Sequence, residues 1–267
     1  MFQAHTSVSN ALLLLIIFSD HPGIPNATLV RDNTQLANYY KNKSVAEQNS
    51  VDLSWALLMD KAYQDLCGCI FTNEDELKRF RALVVNAVMA TDIADKELGA
   101  KRKERWAKAF SSENCAEKNG NLTELDVINR KATIVIEHII QASDVSHTMQ
   151  HWQIYLRWNE KLFEEMFVAY QRGMSDKNPA DFWYKGELGF YDFYIIPLAK
   201  KLKDCGVFGV SSDEYLSYAL SNRAEWEERG RGIVSGYLEK YSSGKDAAHL
   251  EAAENAHPQQ KATEVVV

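Results

Sequence analysis

No proline stands between Asn26 and Pro179, and this absence constrains the fold more than any residue the chain contains. Proline removes a backbone donor and breaks helix interiors, so a run this long without one leaves room for uninterrupted helices. The apolar spacing inside it fits that reading. From Asp75 to Met89, Leu77, Phe80, Leu83, Val84, Ala87 and Val88 recur at helical steps and form one stripe. From Tyr155 to Tyr170 the pattern returns through Trp158, Leu162, Phe163, Met166 and Tyr170. No stretch alternates polar and apolar residues between turn pairs, as a strand would. The predicted fold class is all-α, a compact set of many helices around one core. Breaks are expected at Ser111 to Asn121 and at Gly173 to Ala180, both polar and containing glycine. Ser211 with Glu214 three residues on has capping-box spacing and opens a late helix. Residues 241–267 are rich in Ala, Glu, Gln, Lys and His and read as a disordered tail.

At 267 residues the chain is long enough for a proper core. Its formal charge of -7 provides no basic footprint, so nucleic acid is not an expected partner. Four scattered cysteines (Cys67, Cys69, Cys115, Cys205) make no disulfide framework and no zinc-finger spacing; they read as free thiols in a reducing compartment. The apolar run Ala11 to Phe18 is shorter than the roughly 20 residues a membrane-spanning helix needs. Residues 1–10 carry no Lys or Arg, whereas a signal peptide would require a positively charged start. The expectation is a cytoplasmic chain without a membrane span.

The segment Asp20-His21-Pro22-Gly23-Ile24-Pro25-Asn26 resembles the end of a metal-binding signature, His-Asp-x-Asp-His-Pro-Gly-x-x-Asn. That signature belongs to the class I 3',5'-cyclic-nucleotide phosphodiesterases, an HD-type family. Further segments resemble the same family in order. They are Ser44 to Asn49, the apolar helix ending Ala90-Thr91-Asp92, Ile139 to His147, Tyr155 to Met166, and Gly186 to Asp192. The resemblance runs from about Asp20 to about Gly230. It implies hydrolysis of cAMP or cGMP to the 5'-monophosphate in signal transduction, on two divalent metals (Zn and Mg or Mn) that activate water and neutralise phosphoryl charge.

By that resemblance Asp144 is a metal ligand, with Asp20 and His21 as supporting residues around the site. Glu47 orients metal-bound water. At the substrate end, Phe190 stacks on the purine, Leu162 takes the opposite side of the clamp and Met166 floors the pocket. Glu187 stands where the family carries a Gln that hydrogen-bonds the base. Gln both donates and accepts, whereas an ionised Glu only accepts, so base preference does not carry over. His147 is a further substrate-side candidate. Each has a plainer reading on the residues alone. Asp144 is a helix cap, Glu47 an exposed capping-box Glu after Ser44, Phe190 a core aromatic, and Thr91-Asp92 a helix terminus. His147 and His151, four apart on one expected helix, are either a metal pair or two surface or capping histidines. His138 reads as a half-buried helix residue, and Lys101 to Arg105 as a solvated face.

The chain departs from the pattern at its start. Ile17-Phe18 occupy the positions of the leading His-Asp pair, and no His-Asn-x-x-His segment precedes Asp20. In the family that segment supplies a general-acid His and a metal ligand. The expected organisation is an apolar N-terminus unlike the family over 1–19, a phosphodiesterase-like helical domain over 20–240 that is incomplete at its N-terminus, and the tail. The resemblance leaves room for an upstream regulatory or membrane region outside this sequence. Two functional readings stay open: a metal-dependent phosphodiesterase, and a catalytically inactive fragment or pseudoenzyme that binds nucleotide or a protein partner.

Overall fold

The computed structural model describes residues 24–110, 123–206, 209 and 211–242. The Asp20-His21 pair, the run from Ala11 to Phe18, the expected break at 111–121, Cys115 and the tail beyond Ser242 lie outside these residues. Among the described residues there is no strand, which bears out the all-α expectation.

Two short helices, α1 (Asn26–Asp32) and α2 (Thr34–Tyr39), lead into α3 (Val45–Leu58). A small helix α4 (Gln64–Ile70) follows, then α5 (Glu74–Met89), α6 (Lys96–Phe110) and α7 (Glu124–Asp144). Helix α5 begins where Asn73 accepts from the Glu76 backbone N–H, and three acidic residues occupy its first turn, the polarity that a helix N-terminus favours. Its inward stripe is Phe80, Val84, Ala87 and Val88, as the spacing predicts. Helix α7 starts in a complete capping box between Thr123 and Asp126.

The remaining helices are α8 (Trp152–Gln171), α9 (Trp183–Phe190), α10 (Ile196–Asp204) and α11 (Ser211–Ser242), the last opening at the expected Ser211. Gly173, at φ +71, closes α8 with a conformation glycine adopts freely. Between α9 and α10 the backbone widens into a π-turn, Tyr191–Ile195, with the Ile196 N–H reaching back to the Tyr191 carbonyl. Pro197 stands just after it, at the start of α10.

The single core expected from sequence is instead three apolar clusters. The smallest joins α1 to α3 through Leu29, Ala37, Tyr40, Val45 and Ala46. A second packs α3 on α5 through Val51, Leu58, Phe80, Val84 and Val88. The largest lies among α8 to α11, centred on Tyr155, Phe163, Tyr191, Ile195 and Trp226. Helix α7 joins the last two, with Ile140 in one and Ala142 in the other. At 21 residues it is long enough, about 31 Å, to do so.

The stripe on α8 also differs from the expected one. Trp158 is 52% exposed and Leu162 45% exposed, while Tyr155, Asn159, Phe163 and Phe167 face inward. Ranking by hydropathy puts Asn159 outside. A tertiary hydrogen bond from Trp183, with one to Tyr155 a turn away on the same helix, puts it inside.

Candidate functional site

Ser44 takes a left-handed backbone conformation at the N-cap of α3, and its side chain makes no cap bond there. The hydroxyl instead donates to Asp92 Oδ2 at 2.6 Å, joining α3 to the end of α5. Asn26 sits between them. Its Nδ2 donates to Glu47 Oε2 at 2.8 Å and to Asp92 Oδ2 at 3.4 Å, and its Oδ1 accepts from the Ala46 N–H at 2.9 Å. Asp92 Oδ1 meanwhile accepts the backbone N–H groups of Ala94 and Asp95. Glu47 is therefore buried and tied to a residue 21 positions upstream, which overturns the exposed capping-box alternative. Asp92 is likewise more than a plain helix terminus. Asn26 is the organiser that reading side-chain roles one at a time overlooks, although it closes the motif at 20–26.

Asp144 is the last residue of α7 and is exposed. Its charge acts on the Tyr194 phenol, whose pKa rises chiefly from burial. His147 and His151 do not share a helix. His147 lies in a 3-10 turn over Ser146–Met149, and Gln150 then runs extended before α8 begins. His151 caps α8, its Nδ1 accepting from the Gln153 N–H at 3.3 Å, so the capping alternative holds for it. His147 is partly buried, and loss of solvent lowers its pKa. Among the described residues no group of three or more His, Cys, Asp and Glu side chains is placed to hold a metal ion.

The substrate-end candidates divide. The Glu187 carboxylate accepts from the Tyr155 hydroxyl at 2.7 Å. Asn159 Nδ2 donates to that same hydroxyl at 3.3 Å, and Trp183 Nε1 donates to Asn159 Oδ1 at 3.1 Å. Burial raises the Glu187 pKa to about 7, against the opposing pull of the Tyr155 and Asn159 hydrogen bonds. Tyr155 and Asn159 are thus the support for Glu187 that sequence alone does not reveal. Phe190 is partly buried and stacks on Tyr194, with ring centroids 5.3 Å apart and planes at 11°. It lines a cleft between α6 and α10 that Glu187, Leu162 and Met166 do not line. Met166 packs against the largest core cluster, and Leu162 stands on the exposed side of α8.

The charged face on α6 is only partly solvated. Arg105 pairs with Glu137 at 2.7 Å, a carboxylate that is 1% exposed. Arg102 donates to the carbonyls of Met89 and Asp92, each at 3.2 Å. His138 is buried rather than half-buried. Its Nδ1 faces the Ile134 carbonyl at 2.7 Å and so must donate, leaving Nε2 to accept from Lys201 at 3.2 Å. Burial pushes its pKa down to about 4, so the ring is neutral. The described thiols, Cys67, Cys69 and Cys205, are free, as expected. No helix among the described residues is long and apolar enough to cross a membrane.

Comparison with known proteins gives this arrangement a context. A probable 3',5'-cyclic-AMP phosphodiesterase of Caenorhabditis elegans is 26% identical over 195 residues, covering 69% of this chain and 27% of that protein. A human dual specificity calcium/calmodulin-dependent 3',5'-cyclic nucleotide phosphodiesterase 1B is 24% identical over 213 residues, covering 74% of this chain and 36% of the relative. The chain thus spans roughly a third of the length of the curated relatives it matches. Among solved structures, the phosphodiesterase domain of the RhoPDE fusion protein from the choanoflagellate Salpingoeca rosetta superposes with a TM-score of 0.59 at 23% identity, over 86% of this chain and 71% of that one, and shares its fold. The family model described as 3'5'-cyclic nucleotide phosphodiesterase matches residues 15–207, most of the chain. This chain belongs to the 3'5'-cyclic nucleotide phosphodiesterase family.

Proposed function

We propose that the chain acts in the cytoplasm on a 3',5'-cyclic nucleotide, cAMP or cGMP, hydrolysing it to the 5'-monophosphate. The observation that carries this reading is the family match over residues 15–207. Glu187, Phe190, Leu162, Met166 and His147 are assigned to the nucleotide, Glu47 to water and Asp144 to the metal side. Asp20 and His21, outside the described residues, are assigned as its support. In this reading Glu187 sets base preference through its protonation state. As a neutral acid it offers both a donor and an acceptor, as a Gln does; ionised, it only accepts. Asn26 holds the Glu47 carboxylate in one orientation, so that it accepts from a water on a fixed line.

The family implies divalent metal ions, and we assign Zn together with Mg or Mn. The described residues do not fit such a centre. Asp144 stands at the end of α7 without two further His, Cys, Asp or Glu side chains converging on it, and one carboxylate cannot hold a transition metal in catalytic geometry.

The test is hydrolysis of cAMP and cGMP by the purified 267-residue chain with Mg²⁺ and Mn²⁺ added, alongside D144A. Turnover that D144A abolishes supports the assignment. A folded chain with no turnover under any ion sinks it in favour of nucleotide binding without chemistry.

A further inference from the structure

Lys201 is a half-buried amine for which the hydrolytic reading has no use. Its Nζ stands at the junction of α6, α7 and α10 between two neutral neighbours. One is the His138 imidazole, whose Nε2 accepts from it at 3.2 Å; the other is the Trp106 ring, whose centre lies 4.9 Å away. The Ile134 carbonyl fixes the imidazole tautomer, so His138 asks one N–H of Lys201 and no more. A neutral amine meets that demand and keeps its lone pair.

Arg102 and Lys103 line the same wall. Burial lowers the Lys201 pKa, and repulsion from Lys103 and Arg102 lowers it further, against a weaker opposing pull from Cys205. The Asp95 carboxylate also lines this cleft. It caps the Leu98 N–H at 3.0 Å, and its charge acts on Lys101. A lysine amine held neutral is a nucleophile that forms covalent adducts. The surroundings choose among electrophiles. An aldehyde would leave an imine and an acyl donor an amide, and neither brings an anion to Arg102 and Lys103. Carbon dioxide does.

We propose that Lys201 is a carbon dioxide-binding site, its Nζ forming a carbamate whose carboxylate lies between Arg102 and Lys103. The Nζ lone pair attacks the carbon of carbon dioxide. A C–N bond forms, one C–O π bond breaks, and its electron pair goes to oxygen. A proton leaves Nζ for solvent, giving –NH–COO⁻ on the side chain. The N–H that remains still donates to His138 Nε2. The new anion links α10 to α6, a helix with no buried residue that Arg102, Arg105 and Trp106 otherwise hold by side-chain contacts. Carbon dioxide thereby clamps α6 in place.

The test incubates the full chain with isotope-labelled carbon dioxide and bicarbonate, traps carbamates with triethyloxonium and maps the peptides by mass spectrometry. Lys200 and Lys203, both exposed in α10, are the controls. Lys201 should carry the trapped group roughly 10-fold more than either. Lys103→Gln, at an exposed position, should lower its occupancy about 5-fold, the effect of one charge a few ångströms away. Lys201→Met keeps the apolar stem over Trp106; it should remove the adduct and the rise in Tm that carbon dioxide gives the wild-type chain. Equal trapping at Lys200, Lys201 and Lys203 overturns the proposal, as does a folded wild-type chain with no adduct at Lys201. Occupancy unchanged in Lys103→Gln overturns the assignment of the anion's partners. Reductive labelling of Lys201 by an aldehyde, with no carbon dioxide adduct, marks a reactive amine of another class and overturns it too. No cyclic nucleotide enters the measurement, so its failure and that of the hydrolytic reading are told apart.

Discussion

The Tyr155 hydroxyl donates to the Glu187 carboxylate at 2.7 Å, across 32 residues of sequence, inside the largest core cluster. This contact fixes the side chain at the position where the family resemblance expects a base-reading Gln. It also makes Glu187 a titrating group near neutrality, because burial outweighs the two hydrogen bonds that favour its ionised form.

A pH-dependent stability follows. Glu187 titrates at 4.5 when unperturbed and at about 7 in the folded chain. Below the lower value both states carry the proton and the group contributes nothing. Between the two values the folded state holds a proton that the unfolded chain has lost, so stability falls as pH rises, and above 7 the full cost is present. Glu187→Gln keeps the acceptor for Tyr155 and removes the titration. It should raise stability at pH 8 by about 2 kcal/mol and change it little at pH 4.5. His138 acts with the opposite sign: its pKa falls from 6.5 to about 4, so its contribution is lost as pH drops through that window. The two slopes overlap, so the measurement is the difference between wild-type and variant urea midpoints across pH, in which the His138 part cancels.

Arg105 and Glu137 form the most buried ion pair among the described residues, with the carboxylate 1% exposed and the guanidinium 43% exposed. Glu137 Oε1 has no hydrogen-bond partner, and burial raises the pKa of the group despite Arg105. Arg105→Ala strands that carboxylate and should destabilise the fold by about 2 kcal/mol. The loss should be larger at pH 8 than at pH 5, where Glu137 can take a proton instead. Adding Glu137→Gln should recover part of the stability. Thermal unfolding of the two variants at both pH values decides it; a loss that is equal at both, with no recovery in the double variant, contradicts the account.

Gly230 and Gly232, two residues apart in α11, should respond oppositely to alanine. A Cβ at Gly230 would lie 2.8 Å from Cε2 of Trp226, an indole that is 0% exposed and held by its Nε1 bond to the Tyr184 carbonyl. Overpacking should cost about 1–3 kcal/mol there, more than the helical gain from Gly to Ala. At Gly232 the added Cβ meets nothing within 4 Å, and alanine should stabilise by about 0.5–1 kcal/mol. Chemical denaturation of both variants checks the pair.

Asn26 ties two carboxylates, Glu47 and Asp92, to one amide. Asn26→Asp replaces that donor with a third carboxylate and should destabilise by about 2 kcal/mol at pH 7. Asn26→Ala, lacking the repulsion, should cost about 1 kcal/mol. Equal losses for both variants at pH 7 would mean the cluster is not electrostatically coupled.

Sequence by itself determined the all-α class and the helices that became α5, α8 and α11. The proline-free run, the apolar steps in α5 and the Ser211 start each depend on residues within a few positions, so they are legible locally. The motif ending at Asn26 likewise pointed to the family. What each polar side chain does was decided by tertiary structure. Asn159 faces inward because Tyr155 and Trp183 satisfy it, and Glu47 is buried because Asn26 reaches it. Arg102 and Arg105, read from sequence as solvated, turn to carbonyls and to Glu137. Helical periodicity ranks residues by hydropathy alone. A buried polar group is stable only when a partner lies in place, and here several of those partners stand 20 or more residues away in sequence, where only the packed fold can bring them.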